Sequence, residues 1–251
     1  MNRIATILKL SFGIVFVAVG AILQSCICLL LLPSRLWRIR SCIFVEKFVG
    51  HGGLWITGCS LRVTGRENLD ATRPAIYLVN HTSMIDLFAV MQIMPLGSVG
   101  IVKKEVIYYP FFGQMYLLTG HLRLDRSNRE AAVASMKSLG EIVRRGGLSI
   151  FLAPEGTRSR TGRLLPFKKG FVHLARQTGL PVVPIVITGA HKSWVKNTMS
   201  IRGIPIDMRV LPAISTEDWA ERDIPDVVSE MEGVFSAHLP ADQQPEIVQG
   251  V

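Results

Sequence analysis

One histidine and one aspartate could share a proton in the short polar segment that follows the apolar run 75–79. His81 lies just past the end of that strand-like run, where α/β folds expose side chains to ligands, so it is a candidate general base. Asp86 comes five residues later, and residues five apart on one regular helix point about 140° from each other. The two side chains can therefore meet only if the helix begins at Ser83 and His81 lies in the turn before it.

Both residues also have structural interpretations that the spacing leaves open. Ser83-x-x-Asp86 is a capping-box pattern, in which the carboxylate accepts a free backbone N–H at the start of a helix. A single histidine says little about catalysis, because an imidazole serves many purposes in proteins. Ser83 is a candidate helix cap rather than a nucleophile, since the chain lacks the G-x-S-x-G motif of serine hydrolases.

A second polar turn, Glu155-Gly156-Thr157-Arg158, follows another apolar run at 148–153. Its layout repeats that of the first turn, with polar side chains at the carboxyl end of a predicted strand. The planar guanidinium of Arg158 could contact a phosphate group at two points. Gly156 could let a ligand approach the backbone, or it could simply form the turn.

Two further sequence blocks, at 120–126 and 182–187, complete a set of four that lie in order between residues 80 and 187. Together they resemble the glycerolipid acyltransferase family, in particular the 1-acylglycerol-3-phosphate acyltransferases. The resemblance implies transfer of a fatty acyl group from acyl-CoA or acyl carrier protein to the free hydroxyl of 1-acyl-sn-glycerol-3-phosphate. The product would be phosphatidic acid, and the resemblance implies no cofactor beyond the acyl donor.

The same resemblance implies roles for individual residues. His81 would be the base that removes the proton of the acceptor hydroxyl, and Asp86 would orient its imidazole. The expected substrate-binding residues are Glu155, Gly156, Thr157, Arg158, Arg126 and Lys104. Two alternatives stay open: the same chemistry on another lysophospholipid, a lyso-aminolipid or glycerol-3-phosphate, and a lipid-binding protein without turnover.

No sequence pattern predicts a metal or a nucleotide cofactor. The six histidines are scattered, and the chain contains no H-E-x-x-H, P-loop or G-x-G-x-x-G motif. The cysteines, which all lie in the apolar N-terminal part without metal-ligand spacing, are Cys26, Cys28, Cys42 and Cys59. We therefore expect them to behave as small hydrophobic residues.

The N-terminal part, residues 1–59, predicts a membrane anchor. Residues 10–32 form a run of 23 residues without a charge, long enough as a helix to cross a hydrocarbon core about 30 Å thick. Residues 42–59 are apolar but interrupted by charges and adjacent glycines, which favours an interfacial helix. A hairpin of both segments in one leaflet is the alternative to a span. More basic residues follow the run 10–32 than precede it, so the positive-inside rule places the next domain in the cytoplasm.

The rest of the chain predicts one α/β domain at 60–239, followed by a polar tail at 240–251 that we expect to be frayed. Strand and helix patterns alternate, which predicts a mixed, largely parallel sheet covered by helices. One helix is expected to start at a capping box, Ser127 to Glu130. The net charge of +9 combined with 49 % hydrophobic residues favours a membrane surface over nucleic acid as a partner, because no nucleic-acid-binding motif is present.

Overall fold

A computed structural model of the chain describes residues 3–125, 129–195, 198 and 200–246. The α-helices in these residues are α1 Arg3–Leu30, α2 Arg35–Thr57, α3 Glu67–Ala71, α4 Ile85–Ile93, α5 Phe112–Thr119, α6 Arg129–Gly146, α7 Gly170–Thr178, α8 Ala190–Ser193 and α9 Ile224–Ser236. The strands are β1 Leu61–Thr64, β2 Ile76–Val79, β3 Ser98–Lys103, β4 Leu122–Leu124, β5 Ser149–Leu152, β6 Val182–Thr188 and β7 Ile206–Val210. Short 3-10 helices span Lys104–Tyr108 and Glu217–Ala220.

The strands form one sheet in the order β1-β7-β6-β2-β5-β3-β4. From β6 to β4 all neighbours pair in parallel. β7 pairs antiparallel with β6, and β1 runs parallel to β7, so this edge of the sheet runs in the opposite direction. The prediction of a mixed, largely parallel sheet covered by helices is confirmed.

Apolar side chains cover both faces of the sheet. β2 is buried along its whole length, and its residues alternate between two hydrophobic clusters. Ile76 and Leu78 lie in a cluster with side chains of α6, α7 and α9, whereas Tyr77 and Val79 lie in a cluster with side chains of α2 and α4. A strand that is buried on both faces needs apolar residues at every position, which explains the uninterrupted run at 75–79.

α1 and α2 form an antiparallel helical hairpin. Ser34 caps α2, because its Oγ accepts the backbone N–H of Trp37 at 3.3 Å. Glycines of α2 let the helices approach closely: a Cβ at Gly52 would lie 2.1 Å from the Phe16 ring of α1. On the other side, a Cβ at Gly50 would lie 2.8 Å from the carbonyl oxygen of Phe88 in α4.

The segment expected to be interfacial, 42–59, is helical as far as residue 57, and its position relative to a membrane stays a prediction. Its helical residues form the larger, C-terminal part of α2, and this part lies between α1 and α4. Glycine lowers helix propensity by about 1 kcal/mol relative to alanine, but here its missing side chain makes room for two neighbouring helices. Sequence patterns record the propensity and not the neighbours.

The C-terminal segment differs from its prediction. The tail expected to fray at 240–251 is held against the domain as far as residue 246. The backbone N–H of Leu164 donates to the carbonyl of Gln243 at 2.9 Å, and Gln243 is 2 % exposed. Lys192 and Asp242 form an ion pair at 2.6 Å. Residues 247–251 lie outside the described residues, as does Ser127 of the predicted capping box.

Candidate active site

The register of the central strands brings the two polar turns together. Leu78 of β2 pairs with Leu152 of β5 in parallel, so His81 and Glu155 each lie three residues beyond a paired position. Both turns therefore lie at the carboxyl edge of the sheet, where such folds bind ligands. The contact is direct: the backbone N–H of Ser159 donates to the carbonyl of His81 at 2.9 Å.

The predicted base and its predicted partner are in contact. Nδ1 of His81 lies 3.0 Å from Oδ2 of Asp86. Because a carboxylate accepts hydrogen bonds, Nδ1 carries the imidazole proton and Nε2 is the basic nitrogen. The His81 side chain is 19 % exposed and that of Asp86 only 2 %. A substrate can thus reach the base while its carboxylate partner is shielded from water.

The capping interpretation of Asp86 holds at the same oxygen atom. Oδ2 also accepts the backbone N–H groups of Thr82 at 2.6 Å and Ser83 at 2.7 Å. The helix α4 begins at Ile85 rather than at the expected Ser83, so His81 lies in an irregular turn that folds back over the helix start. Oγ of Ser83 donates to the carbonyl of Trp194 at 2.8 Å, and its hydroxyl proton is therefore directed away from His81.

Glu155 lies in the protein interior, and its expected role in substrate binding stays a prediction. The residue is 1 % exposed. Its Oε1 accepts the backbone N–H of His81 at 2.6 Å, and its Oε2 accepts that of Leu165 at 3.0 Å. Burial raises the pKa of Glu155 to about 8, against the opposing effect of these two hydrogen bonds. The Glu155 side chain therefore holds the backbone of His81 in place from the protein interior.

Asn80 is a site residue that sequence reasoning missed. Its Nδ2 donates to the carbonyl of Ile187 at 2.9 Å, and its Oδ1 accepts the N–H of Ile187 at 2.7 Å. The amide thus matches a peptide group at two points and joins the end of β2 to β6, one residue before His81. Its position beside a candidate base was the single signal available in the sequence.

The turn after β5 carries Arg158 next to a residue whose backbone contacts the turn of His81. Gly156 has a φ of 72°, a left-handed conformation that favours glycine, and its N–H donates to the carbonyl of Ala153 at 3.0 Å. Thr157 is exposed and Arg158 is half-buried. Arg158 directly precedes Ser159, whose backbone is bonded to His81. A role of Arg158 in binding phosphate stays a prediction.

The remaining predicted cations lie on the neighbouring strands. Lys104 follows β3 at the same edge of the sheet, and its Nζ lies 2.9 Å from Oδ1 of Asp125, which follows β4. The hydrogen bond to Asp125 raises the pKa of Lys104. Arg126 lies outside the described residues. A substrate-binding role for Lys104 and Arg126 stays a prediction.

An apolar groove of about 260 Å³ lies next to the turn at 81–86, which we call the catalytic turn after its candidate base. The groove runs between α1, the end of α2 and the start of α4. Met84, three residues after His81, contributes to its wall. Other lining residues are Leu10, Phe16, Ile56, Phe88 and Phe111. A long apolar chain could therefore lie against the helical hairpin with one end near the imidazole.

The fold thus places a partly exposed histidine, held by a buried carboxylate, at the carboxyl edge of a largely parallel sheet. A family model described as Acyltransferase matches residues 60–188, which include both polar turns. The chain therefore belongs to the acyltransferase family, as the sequence predicted.

Individual relatives agree with this assignment. The chain is 46 % identical over 229 residues to the 1-acyl-sn-glycerol-3-phosphate acyltransferase of Limnanthes douglasii, covering 91 % of this chain and 81 % of that protein. It is 42 % identical over 247 residues to the protein of the same name from Cocos nucifera, covering 98 % and 80 %. The crystal structure of the 1-acyl-sn-glycerophosphate (LPA) acyltransferase PlsC from Thermotoga maritima matches with a TM-score of 0.77 at 21 % identity, over 95 % of this chain and 96 % of that one. This last likeness concerns the fold.

Proposed function

We propose that this enzyme transfers a fatty acyl group from an acyl thioester, of coenzyme A or acyl carrier protein, to the free hydroxyl of 1-acyl-sn-glycerol-3-phosphate. The product is phosphatidic acid, a precursor in phospholipid synthesis. The observation that supports this most is the partly exposed imidazole of His81, whose Nδ1 is held by buried Asp86. The names of relatives at 42–46 % identity support the choice of acceptor.

In this reaction Nε2 of His81 takes the proton of the acceptor hydroxyl while the hydroxyl oxygen attacks the carbonyl carbon of the thioester. Asp86 stabilises the imidazolium that forms and keeps its orientation. The tetrahedral intermediate then collapses, the C–S bond breaks, and the proton passes from His81 to the leaving thiolate. The acceptor hydroxyl takes the place of a nucleophilic serine, so the enzyme forms no acyl-enzyme.

The acceptor phosphate would meet Arg158, whose fork of N–H donors matches phosphate oxygens. The apolar groove beside Met84 would hold the fatty acyl chain, because it is lined by hydrocarbon and begins near the base. Both binding regions adjoin the turn that carries His81, and the reacting atoms would meet at its imidazole.

A membrane location follows from the surface of the hairpin. Among the described residues one helix, Thr6–Leu30, is long and apolar enough to cross a membrane. Exposed aromatic side chains extend this apolar surface along α2 and onto the segment 108–111, namely Trp37, Phe44, Phe48, Trp55, Tyr108, Tyr109 and Phe111. Phe111 also lines the groove, so a lipid could enter the groove from the bilayer. We propose that the hairpin is inserted in the membrane and that the domain faces the cytoplasm.

Extraction of membranes tests the location. Because apolar contact holds the hairpin, the enzyme should stay in the pellet after washes with 1 M salt or alkaline carbonate, in which exposed ion pairs are screened within about 3 Å. Release of the full-length chain by either wash would contradict the anchor.

Product analysis tests the reaction. The purified enzyme is incubated with labelled acyl-CoA or acyl carrier protein and a panel of lyso-acceptors, and products are identified by mass spectrometry. We expect phosphatidic acid from lysophosphatidic acid as the main product with at least one donor. A preferred acceptor without a phosphate monoester, or release of free fatty acid alone, would contradict the proposal.

A further inference from the structure

A buried cluster of three metal-binding side chains lies where α2 meets the residues before β4, and it shares no residue with the catalytic turn. Cys42 and Glu46 are four residues apart on α2, and His121 precedes β4. Nε2 of His121 lies 3.3 Å from Sγ of Cys42 and 3.7 Å from Oε1 of Glu46. All three atoms lie within 4.8 Å of one another. Residues far apart in the sequence thus present one sulfur, one nitrogen and one oxygen to a common point.

These distances match the spacing of ligands around zinc. Zinc binds sulfur at about 2.3 Å and nitrogen or oxygen at about 2.0–2.1 Å in a tetrahedron, which places its ligand atoms about 3.3–3.6 Å apart. The two distances from Nε2 of His121 are within a few tenths of an ångström of this range. His121 is therefore close to the position, relative to Cys42 and to Glu46, that it would occupy around an ion, and the third pair of ligand atoms lies within 4.8 Å.

The surroundings of the cluster suit a buried divalent ion. Cys42 is 2 % exposed and His121 4 %, and the ring of Tyr116 stacks on the imidazole with centroids 4.7 Å apart, which fixes its orientation. Zinc together with one thiolate and one carboxylate has no net charge, so the site needs no further counter-ion in a region where an unpaired charge would be costly. The neighbouring cation, Arg35, is hydrogen-bonded to the carbonyl of Gly120 at 3.0 Å through its Nε.

We propose that Cys42, Glu46 and His121 form a zinc-binding site that fastens the N-terminal hairpin to the α/β domain. The thiolate selects a soft ion such as zinc over magnesium or calcium. Binding releases the thiol proton of Cys42 to solvent. The Glu46 side chain is 21 % exposed, which leaves room for a water molecule in the fourth position. The sequence conceals the site because its ligands come from two elements without the spacing of a zinc motif.

Metal analysis tests the site directly. The full-length enzyme is produced in zinc-supplemented medium, purified in detergent without a polyhistidine tag or chelator, and its zinc content is measured by mass spectrometry. We expect about one zinc ion per chain, and at least a tenfold lower content in Cys42→Ser and His121→Asn, because a lost ligand weakens a site by more than the 10- to 100-fold of an outer-shell change. The matched controls Cys26→Ser and His51→Asn change exposed residues of the same hairpin and should retain the metal. Wild-type enzyme with less than a tenth of this content, or undiminished zinc in both ligand variants, would overturn the proposal.

A second measurement covers the case in which the ligand variants fail to fold. Wild-type enzyme is stripped with a chelator and reconstituted with zinc or cobalt. Stripping should lower its Tm and zinc should restore it, and cobalt should produce the near-ultraviolet charge-transfer absorption of a thiolate ligand. An unchanged Tm without cobalt–thiolate absorption would mean that the three side chains only hydrogen-bond to one another, and it would also overturn the proposal.

Discussion

The catalytic turn at 81–86 and the hairpin of α1 and α2 differ in what surrounds their side chains. In the turn, buried polar atoms are held by hydrogen bonds within the chain, as in the three donors that converge on Oδ2 of Asp86, although Oδ1 of Asp86 and Oγ1 of Thr82 have no partner among the described residues. In the hairpin, large apolar side chains face outward, and Leu30, Phe44 and Trp55 are each more than 70 % exposed. Hydrogen bonds within the chain therefore set the geometry of the turn, whereas exposed apolar surface on this scale marks a region that a membrane or another partner covers.

The two regions nevertheless meet at one helix. α4 carries Asp86 at its start and packs through Phe88 against Gly50 and Gly53 of α2. A change in the hairpin can therefore alter the turn at 81–86 through α4 without changing any of its polar groups.

The largest effect should come from the pair that shares a proton. His81→Ala should lower kcat by at least about 10²-fold, the low end for general acid–base catalysis, while the fold is retained. Asp86→Asn should also lose activity, because a neutral amide cannot stabilise the imidazolium. The amide oxygen can still accept the backbone N–H groups, so the capping role is kept. Steady-state kinetics and circular dichroism provide the measurements, with His238→Ala, an exposed residue, as the control. A fully active Asp86→Asn would leave Asp86 with its capping role alone.

The next effect should come from the anion-binding arginine. Arg158→Lys keeps the charge but not the two-point contact, and a charge-assisted hydrogen bond contributes about 1.5–3 kcal/mol, equivalent to about 10- to 150-fold. We expect this loss in kcat/KM for lysophosphatidic acid, with little change in the slow hydrolysis of acyl-CoA by water. Arg160→Lys, on an exposed neighbour, should behave like wild type. If hydrolysis of acyl-CoA fell in parallel with acyl transfer, the role of Arg158 would not be to bind the acceptor phosphate.

A smaller loss should separate positioning from binding. In Glu155→Gln one oxygen still accepts a backbone N–H, but the amide presents its own N–H to the other donor, so one of the two bonds is lost. If Glu155 acts only by positioning His81, kcat should fall about tenfold, the equivalent of about 1.4 kcal/mol, with an unchanged KM for the acceptor because the side chain is buried. An increased acceptor KM with unchanged kcat would support the substrate-binding role instead.

The same variant should change how stability depends on pH. The folded-state pKa of Glu155, about 8, is raised above its ordinary value of 4.5, so the folded enzyme holds a proton that the unfolded chain has lost. Its stabilising contribution is present below about pH 4.5 and is lost as the pH rises through about 8. Between these values the free energy of unfolding of wild type should fall, by an amount on the order of a few kcal/mol, more steeply than that of Glu155→Gln. The exposed variant Glu217→Gln should follow the wild-type curve.

The last effect, on stability and only indirectly on activity, should come from the contact between the two regions. Gly50→Ala adds a methyl group 2.8 Å from the backbone of α4, and such overpacking costs about 1–3 kcal/mol. Gly233→Ala in α9 is the matched control, because a Cβ there meets nothing within 4 Å and helix propensity should stabilise it by up to about 1 kcal/mol. Thermal unfolding should show opposite signs for the two variants. Equal stabilisation by both would mean that α2 and α4 are not in close contact.

Much of the fold could be predicted because its signals are local. The apolar run at 75–79 predicts β2, which spans Ile76–Val79, and the capping pattern predicts a helix at Ser83, two residues before the observed start of α4 at Ile85. The approach of His81 to Asp86 could be predicted too, since it depends on six consecutive residues and one helix start.

The rest depended on partners that are distant in the sequence. The order and types of the residues determined the strands, the candidate base and its carboxylate, and the apolar character of the N-terminus, because each of these is encoded in a short segment. Only the tertiary structure decided that Glu155 lies beneath His81, that glycines bring α2 onto α4, and that His121 meets Cys42. Each of these contacts joins elements whose relative placement comes from strand register and helix docking, and a linear pattern of residue types does not record either.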